Sequence, residues 1–161
     1  MIDTNNLNKK SLEYDVDFKT MSEELSFNGL TLKDWAIKFL VEIPDNINQI
    51  DLIHIYKKMD NLYTVAHNNN LIAYGIFSLC KRDLDKLKTT EYVKIYNDPT
   101  KKATAVQAEN FVNYTSETLE DKYIISKFIY EFWQEQLKYL DKKSKILENI
   151  NWALKNVKEI Y

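Results

Sequence analysis

The sequence predicts an all-α chain: a long antiparallel, coiled-coil-like helical hairpin with short helices ahead of it. Three observations carry that expectation. The first is a stripe that reads Leu52, Tyr56, Met59, Tyr63, Ala66, Asn70, Ala73, Phe77, Cys80, Leu84, Leu87, alternating steps of four and three. Such steps return a side chain to one helix face twice per seven residues, and only Asn70 interrupts the apolar series. The second is a similar stripe of Ile129, Trp133, Leu137, Leu140, Ser144, Leu147, Ile150, Leu154, Val157 and Tyr161. The third is that 161 residues include only two glycines and two prolines, too few for a fold rich in tight turns or hairpins.

The first nineteen residues show no clear period. Ser22 to Phe27 reads as a short helix stopped at Asn28-Gly29, because glycine tolerates the left-handed conformation that ends helices. Thr31 sits three residues before Asp34, a capping-box variant, and opens a helix that holds Trp35, Phe39 and Val41 and ends at Pro44. Asp45 to Asn48 supplies capping residues, so the first long helix begins near Gln49 and runs towards Tyr96. Asn68-Asn69-Asn70 is its weak point, since asparagine is a modest helix former. Ala66 and Ala73 stay in phase across those three residues, which favours a continuous helix. Gly75 costs about 1 kcal/mol relative to alanine, and a close helix–helix approach would explain it.

Asn97-Asp98-Pro99 ends the long helix, and residues 100–114 read as a short helix. Thr115-Ser116 offers an N-cap for the last helix, with Glu117, Glu120 and Asp121 placed where the helix dipole is positive. Lys155 and Lys158 suit its C-terminal end. The organisation is then residues 1–45 as a short-helix segment and 46–161 as the hairpin that carries oligomerisation and binding. The two stripes are too long for one small subunit to cover, so the chain is expected to form a homo-oligomer.

Twenty-two basic and 24 acidic residues leave a net charge of −2, so no global basic field advertises nucleic acid. Arg82 is the only arginine; with abundant Asn, Ile, Tyr and Lys this suggests an AT-rich coding sequence, as in a low-GC bacterium or its phage. Cys80 is the single cysteine, which fits a reducing compartment. The polar start from Met1 to Lys10 lacks the pattern of a signal peptide, and no run is long and apolar enough to span a membrane. A cytoplasmic location follows as the expectation.

No catalytic constellation stands out. His54 and His67, the only histidines, lie thirteen residues apart, about 20 Å along one helix. Cys80 falls on the core stripe, where a buried structural thiol is the natural reading. Glu131 and Glu135 share a helix face, but no histidine follows at the Glu-x-x-His spacing of helical di-metal sites. Asp15-Val16-Asp17 is an equally weak metal pattern. No zinc pattern, phosphate loop or dinucleotide fingerprint occurs, so no metal, cofactor or enzymatic activity is expected.

Two basic groups are the binding candidates. Lys138, Lys142 and Lys145 step by four and three with Lys143 beside them, and Lys81, Arg82, Lys86 and Lys88 cluster on the first long helix. Such ridges often keep a hydrophobic seam soluble. Their functional reading is phosphate contact with a single strand, with Tyr92, Tyr96 or Tyr139 as stacking platforms. The seam itself is expected to rest on Tyr63, Asn70, Phe77, Trp133, Leu140 and Leu147. Asn70 has two readings: it faces solvent at a helix break, or it is a buried polar residue that fixes register and partner number.

The stretch Asn69-Asn70-Leu71-Ile72-Ala73-Tyr74, followed by Phe77, Leu79 and Lys81, resembles the long helix of tailed-phage recombination mediators of the UvsY type. Tyr130, Phe132, Trp133, Leu137 and the segment Lys145 to Val157 resemble the aromatic C-terminal helix of those proteins. The resemblance covers roughly Ile50 to Lys158. It implies an oligomeric ring without catalytic residues that binds single-stranded DNA, helps displace the single-strand-binding protein and loads a recombinase. The alternative is a phage structural (virion) protein or a protein-interaction protein, such as an inhibitor of host defence, that binds no nucleic acid. An excess of tyrosine and tryptophan supports that alternative, since both anchor protein interfaces.

Overall fold

A computed structural model describes the backbone of residues 18–157 and the side chains of residues 20–156. The elements are helix α1 (Phe18–Glu24), strands β1 (Ser26–Phe27) and β2 (Leu30–Thr31), helix α2 (Leu32–Lys38), helix α3 (Gln49–Tyr96) and helix α4 (Ala105–Val157). The long helices form the expected antiparallel hairpin. Asp15, Val16, Asp17, Lys158 and Tyr161 lie outside the described residues.

Helix α3 begins where the sequence places it. Asn48 Oδ1 accepts from the backbone N–H groups of Ile50 and Asp51, while Asp51 accepts the backbone N–H of Asn48. Two otherwise orphaned donors at the helix start are thereby satisfied. The helix passes through Asn68–Asn70 without a break. Every residue of the two stripes with a described side chain is buried or half-buried. The seven-residue step is therefore the burial step.

The chain divides into two compact units, one of residues Met1–Leu71 with Glu131–Tyr161 and the other of Ile72–Tyr130. In the second unit the C-terminal half of α3 runs against the N-terminal half of α4. Phe77 stacks on Tyr130 at 5.6 Å between centroids and meets Tyr123 at 5.5 Å. Further along, Lys88 pairs with Glu120, and Ile95 packs with Ala108 and Val112. Partners on α4 retreat as α3 advances, which fixes the antiparallel sense. Asp98 closes the connector: its Oδ1 accepts from the hydroxyl and the N–H of Thr100. These bonds favour the carboxylate and hold Asp98 below its usual range.

In the first unit the core is an aromatic box around Trp133, which is fully buried. The rings of Phe27, Trp35, Phe39 and Phe132 lie 5.2 to 5.8 Å from it between centroids. Offset and edge-on aromatic pairs of this kind add to what their buried area contributes. Trp35 Nε1 donates to the Phe27 carbonyl at 2.7 Å, and the Val41 N–H donates to the Tyr139 hydroxyl at 3.1 Å. The N-terminal segment is thus fastened to α4 by ring packing and by the Val41–Tyr139 hydrogen bond. The indole N–H of Trp133 is buried without a partner among the described residues. Its position is set by ring packing.

Four local expectations are corrected. The first short helix is α1, which ends at Glu24; Ser26 and Phe27 form a strand instead. Asn28-Gly29 is not a helix stop but the turn of a two-residue β-hairpin, with Ser26 opposite Thr31 and Phe27 opposite Leu30. Both turn residues have positive φ (50° and 84°), as a tight hairpin of this hand requires. The Thr31–Asp34 cap forms, although the Asp34 carboxylate accepts the Thr31 hydroxyl rather than a backbone N–H. Helix α2 ends at Lys38, well before Pro44, so Phe39 is its C-cap and Val41 lies beyond it.

The fourth correction concerns α4, which is one helix and not a short helix followed by a capped long one. Thr115 and Ser116 sit inside it. The Thr115 hydroxyl donates back to the carbonyls of Phe111 and Val112, and that of Ser116 donates to the carbonyl of Asn113. The helix start is made by Thr104 and Gln107, each accepting the other's backbone N–H through its side chain.

Trp133→Ala empties the aromatic box and is expected to cost about 3–5 kcal/mol of unfolding free energy. Trp133→Phe keeps most of the ring packing and removes the unpartnered donor, so it is expected to cost less than half as much. Urea unfolding of the two variants checks both values.

Candidate functional site

The predicted basic groups fall in different units, and each is partly engaged. In the Ile72–Tyr130 unit, Arg82 is held by Asp83 at 3.0 Å and Lys88 by Glu120. Glu120 also accepts from the buried Ser116 hydroxyl. Lys81 and Lys86 are exposed. In the other unit, Lys138 pairs with Glu135 at 2.6 Å, and the Lys143 ammonium lies 5.6 Å from the Tyr139 ring centroid. Lys142 and Lys145 are exposed and make no ion pair among the described residues. Exposed ion pairs contribute little stability. They do lower the local positive potential that a phosphate backbone would meet.

The three stacking candidates differ. Tyr92 and Tyr96 lie nearly parallel, 8° apart at 5.7 Å, and Tyr96 is exposed. Tyr139 is committed to the fold, because its hydroxyl accepts the Val41 N–H. The seam residues Trp133, Leu140 and Leu147 are fully buried, while Tyr63, Asn70 and Phe77 are half-buried. The Tyr63 hydroxyl donates to Asp141 at 2.6 Å.

Asn69, not singled out in the sequence, is more buried than Asn70. Its Oδ1 accepts from Asn28 Nδ2 at 2.9 Å, so the tight turn of the N-terminal hairpin is tied to the triple-asparagine segment. Asn69 Nδ2 and Asn70 Oδ1 are buried without partners among the described residues. The dipeptide Asn28-Gly29 was the available signal for a hairpin there. Nothing local to it points to a residue forty-one positions away.

Helix α3 carries His54 and His67 on its exposed surface, and Tyr63 stacks on His67 at 6.3 Å. An unbroken helix keeps the two imidazoles about 20 Å apart. Cys80 is half-buried. No group of three or more His, Cys, Asp or Glu side chains capable of holding a metal gathers among the described residues. No helix among them is long and apolar enough to cross a membrane.

The expected close approach at Gly75 is not made among the described residues: a Cβ built there meets nothing within 4 Å. Gly75 lies on the exposed side of α3, in the longest uncharged run of the sequence. From Asn61 to Cys80, twenty residues pass without Asp, Glu, Lys or Arg in a chain that is 29% charged. Leu71, Ile72, Tyr74 and Leu79 within that run are all exposed.

Burial first, then the hydrogen bond to Asp141 and the charges of Asp141 and Glu148, raise the pKa of Tyr63 far above its usual value near 10. The folded state therefore holds this phenol neutral after the unfolded chain would ionise it. Its stabilising contribution is complete below about pH 10 and is lost as the pH rises towards the native pKa. In a spectrophotometric titration, Tyr63→Phe is expected to leave the phenolate signal near pH 10 unchanged and to remove one tyrosine from the late, alkaline-unfolding part of the curve. Loss of a tyrosine from the early part would refute the assignment.

Comparison with protein-family models, curated proteins and solved structures finds no match.

Proposed function

We propose that the protein is a non-catalytic helical interaction module that associates with protein, in the first place with itself, through apolar side chains on the outer side of its hairpin. The observation that carries this reading is the uncharged run of α3 with Leu71, Ile72 and Leu79 exposed along it; Tyr74, though half exposed, meets the Tyr130 ring of α4 at 5.4 Å. Depletion of charge, more than bulk hydrophobicity, marks the centre of a protein interface. Exposed Trp152 and Tyr114 add aromatic side chains of the kind that anchor interfaces.

The second reading is the single-strand-binding recombination mediator that the resemblance implies, with a recombinase or single-strand-binding protein as its partner. Exposed Lys142 and Lys145, beside Lys143 over Tyr139, favour it. It ranks second because carboxylates engage Arg82, Lys88 and Lys138. The net charge of −2 also leaves a single subunit with no attractive field for phosphate.

Two measurements separate these readings: light-scattering mass over a concentration series, and a gel shift with single-stranded DNA at about 50 mM salt. The interaction reading expects a mass above that of the monomer and no shift. A monomer mass with a shift that fades steeply as salt rises would overturn it and favour the second reading. In that case Lys142→Ala with Lys145→Ala is expected to weaken the shift.

A further inference from the structure

We infer that Asn28 is a site of spontaneous deamidation, that its hydrogen bond to Asn69 holds the reaction back, and that its isoaspartyl product releases the N-terminal hairpin. The inference stands apart from any binding partner. Asparagine is among the thermally labile residues. Of the two glycines in the sequence only Gly29 follows an asparagine, and Asn28 and Gly29 are both exposed to water. Glycine sets no side chain between its backbone nitrogen and the neighbouring amide. A Cβ built on Gly29 meets nothing within 4 Å, so no described residue shields that side of the turn.

The reaction needs only water as co-reactant. The Gly29 backbone nitrogen gives up its proton to hydroxide and attacks Asn28 Cγ. The N–Cγ bond forms, the Cγ–Nδ2 bond breaks, and Nδ2 takes a proton from water and leaves as ammonia, closing a cyclic imide. Water then opens the ring. Attack at Cγ breaks the new bond and leaves aspartate. Attack at the main-chain carbonyl carbon of Asn28 breaks the original peptide bond and leaves isoaspartate, with the chain running through Cγ. Either way, water is consumed and ammonia released.

The fold restrains this chemistry at the leaving group. Asn28 Nδ2, the atom that must depart, donates to Asn69 Oδ1 at 2.9 Å, and Asn69 is buried on α3. Its departure breaks that bond and leaves a buried acceptor unpaired, so the reaction proceeds from the locally opened hairpin. The two products then differ. Aspartate keeps the main chain as it was. Its carboxylate accepts from Asn69 Nδ2, which has no partner among the described residues, once the Asn69 amide turns over; one buried atom of Asn69 is unpaired either way. Isoaspartate adds a methylene to the main chain of a two-residue turn, whose length sets the Ser26–Thr31 and Phe27–Leu30 pairing. Phe27 forms one wall of the box around Trp133, and its carbonyl accepts the Trp35 indole N–H. Loss of the hairpin register therefore reaches the core of this unit.

The test is peptide mapping by mass spectrometry of the full chain aged at mildly alkaline pH, in buffer and in guanidinium chloride. Wild type, Asn69→Leu and Asn69→Asp are compared, with circular dichroism to confirm folding. Native wild type is expected to convert at Asn28 at least about tenfold more slowly than the denatured chain. Asn69→Leu keeps the volume and removes the acceptor, so in buffer it is expected to convert severalfold faster than wild type. Asn69→Asp keeps an acceptor and is expected to stay slow, while all three convert alike in guanidinium chloride. Native wild type converting as fast as the denatured chain overturns the restraint, whatever the variants do. Folded Asn69→Leu converting as slowly as wild type overturns the role of Asn69. An unmodified Asn28 in guanidinium chloride overturns the site itself. The fraction of aged chain that the map shows to carry isoaspartate at this position is expected to melt below Asn28→Asp. Equal melting temperatures overturn release of the hairpin.

Discussion

The architecture depends on a register that is never lost. Helix α3 holds its four-three alternation from Leu52 to Leu87, through three consecutive asparagines, and α4 holds its own from Ile129 onward. A single inserted or deleted residue would rotate everything beyond it by about 100° and turn buried positions towards solvent. The Asn segment is where this constraint is most exposed to failure. Asparagine readily bonds to nearby backbone in non-helical conformations. Here Asn69 is instead engaged from outside the helix by Asn28, and apolar neighbours at Ala66 and Ala73 are buried on either side. Tertiary packing outweighs the weak local preference.

A second consequence is the division of labour among side chains. The long helices use the inward stripe for each other, and the first unit adds the aromatic box in which Phe27, Trp35 and Phe39 surround Trp133. Some of the charged residues form exposed, short-range pairs such as Glu91–Lys94 and Glu135–Lys138. Such pairs solubilise a surface and contribute only tenths of a kcal/mol each. The stretch Asn61–Cys80 has no such pairs. Its uncharged outer side therefore differs in kind from the rest of α3, and it is the natural place to look for function.

How much of this was legible depended on whether the signal was periodic or local. The start and end of α3 were readable, because a stripe sustained over many turns leaves little freedom and Asn48 and Asn97-Asp98-Pro99 punctuate it. Local signals were ambiguous. Asn28-Gly29 serves equally as a helix stop and as a hairpin turn, since both need the left-handed region; pairing of Ser26 with Thr31 decides the matter. Thr115 and Ser116 cap a helix or bond back within one, depending on backbone angles that the packing of α4 sets. The true cap, Thr104 with Gln107, had the better capping-box pattern and lay only eleven residues earlier. The basic groups were found as sequence clusters, but neutralisation of Lys88 by Glu120 and the engagement of Tyr139 by Val41 depend on folding. The box around Trp133 had no local signature, because all of its walls except Phe132 come from residues about a hundred positions away.

Amide hydrogen exchange across residues 66–73 tests the unbroken register most directly. The account predicts that the amides of Asn68, Asn69 and Asn70 are protected to within about tenfold of those in the flanking turns of α3, because they belong to one continuous ladder of helical hydrogen bonds. Exchange at those three positions close to the rate of an unstructured peptide, with protected turns on both sides, would contradict it.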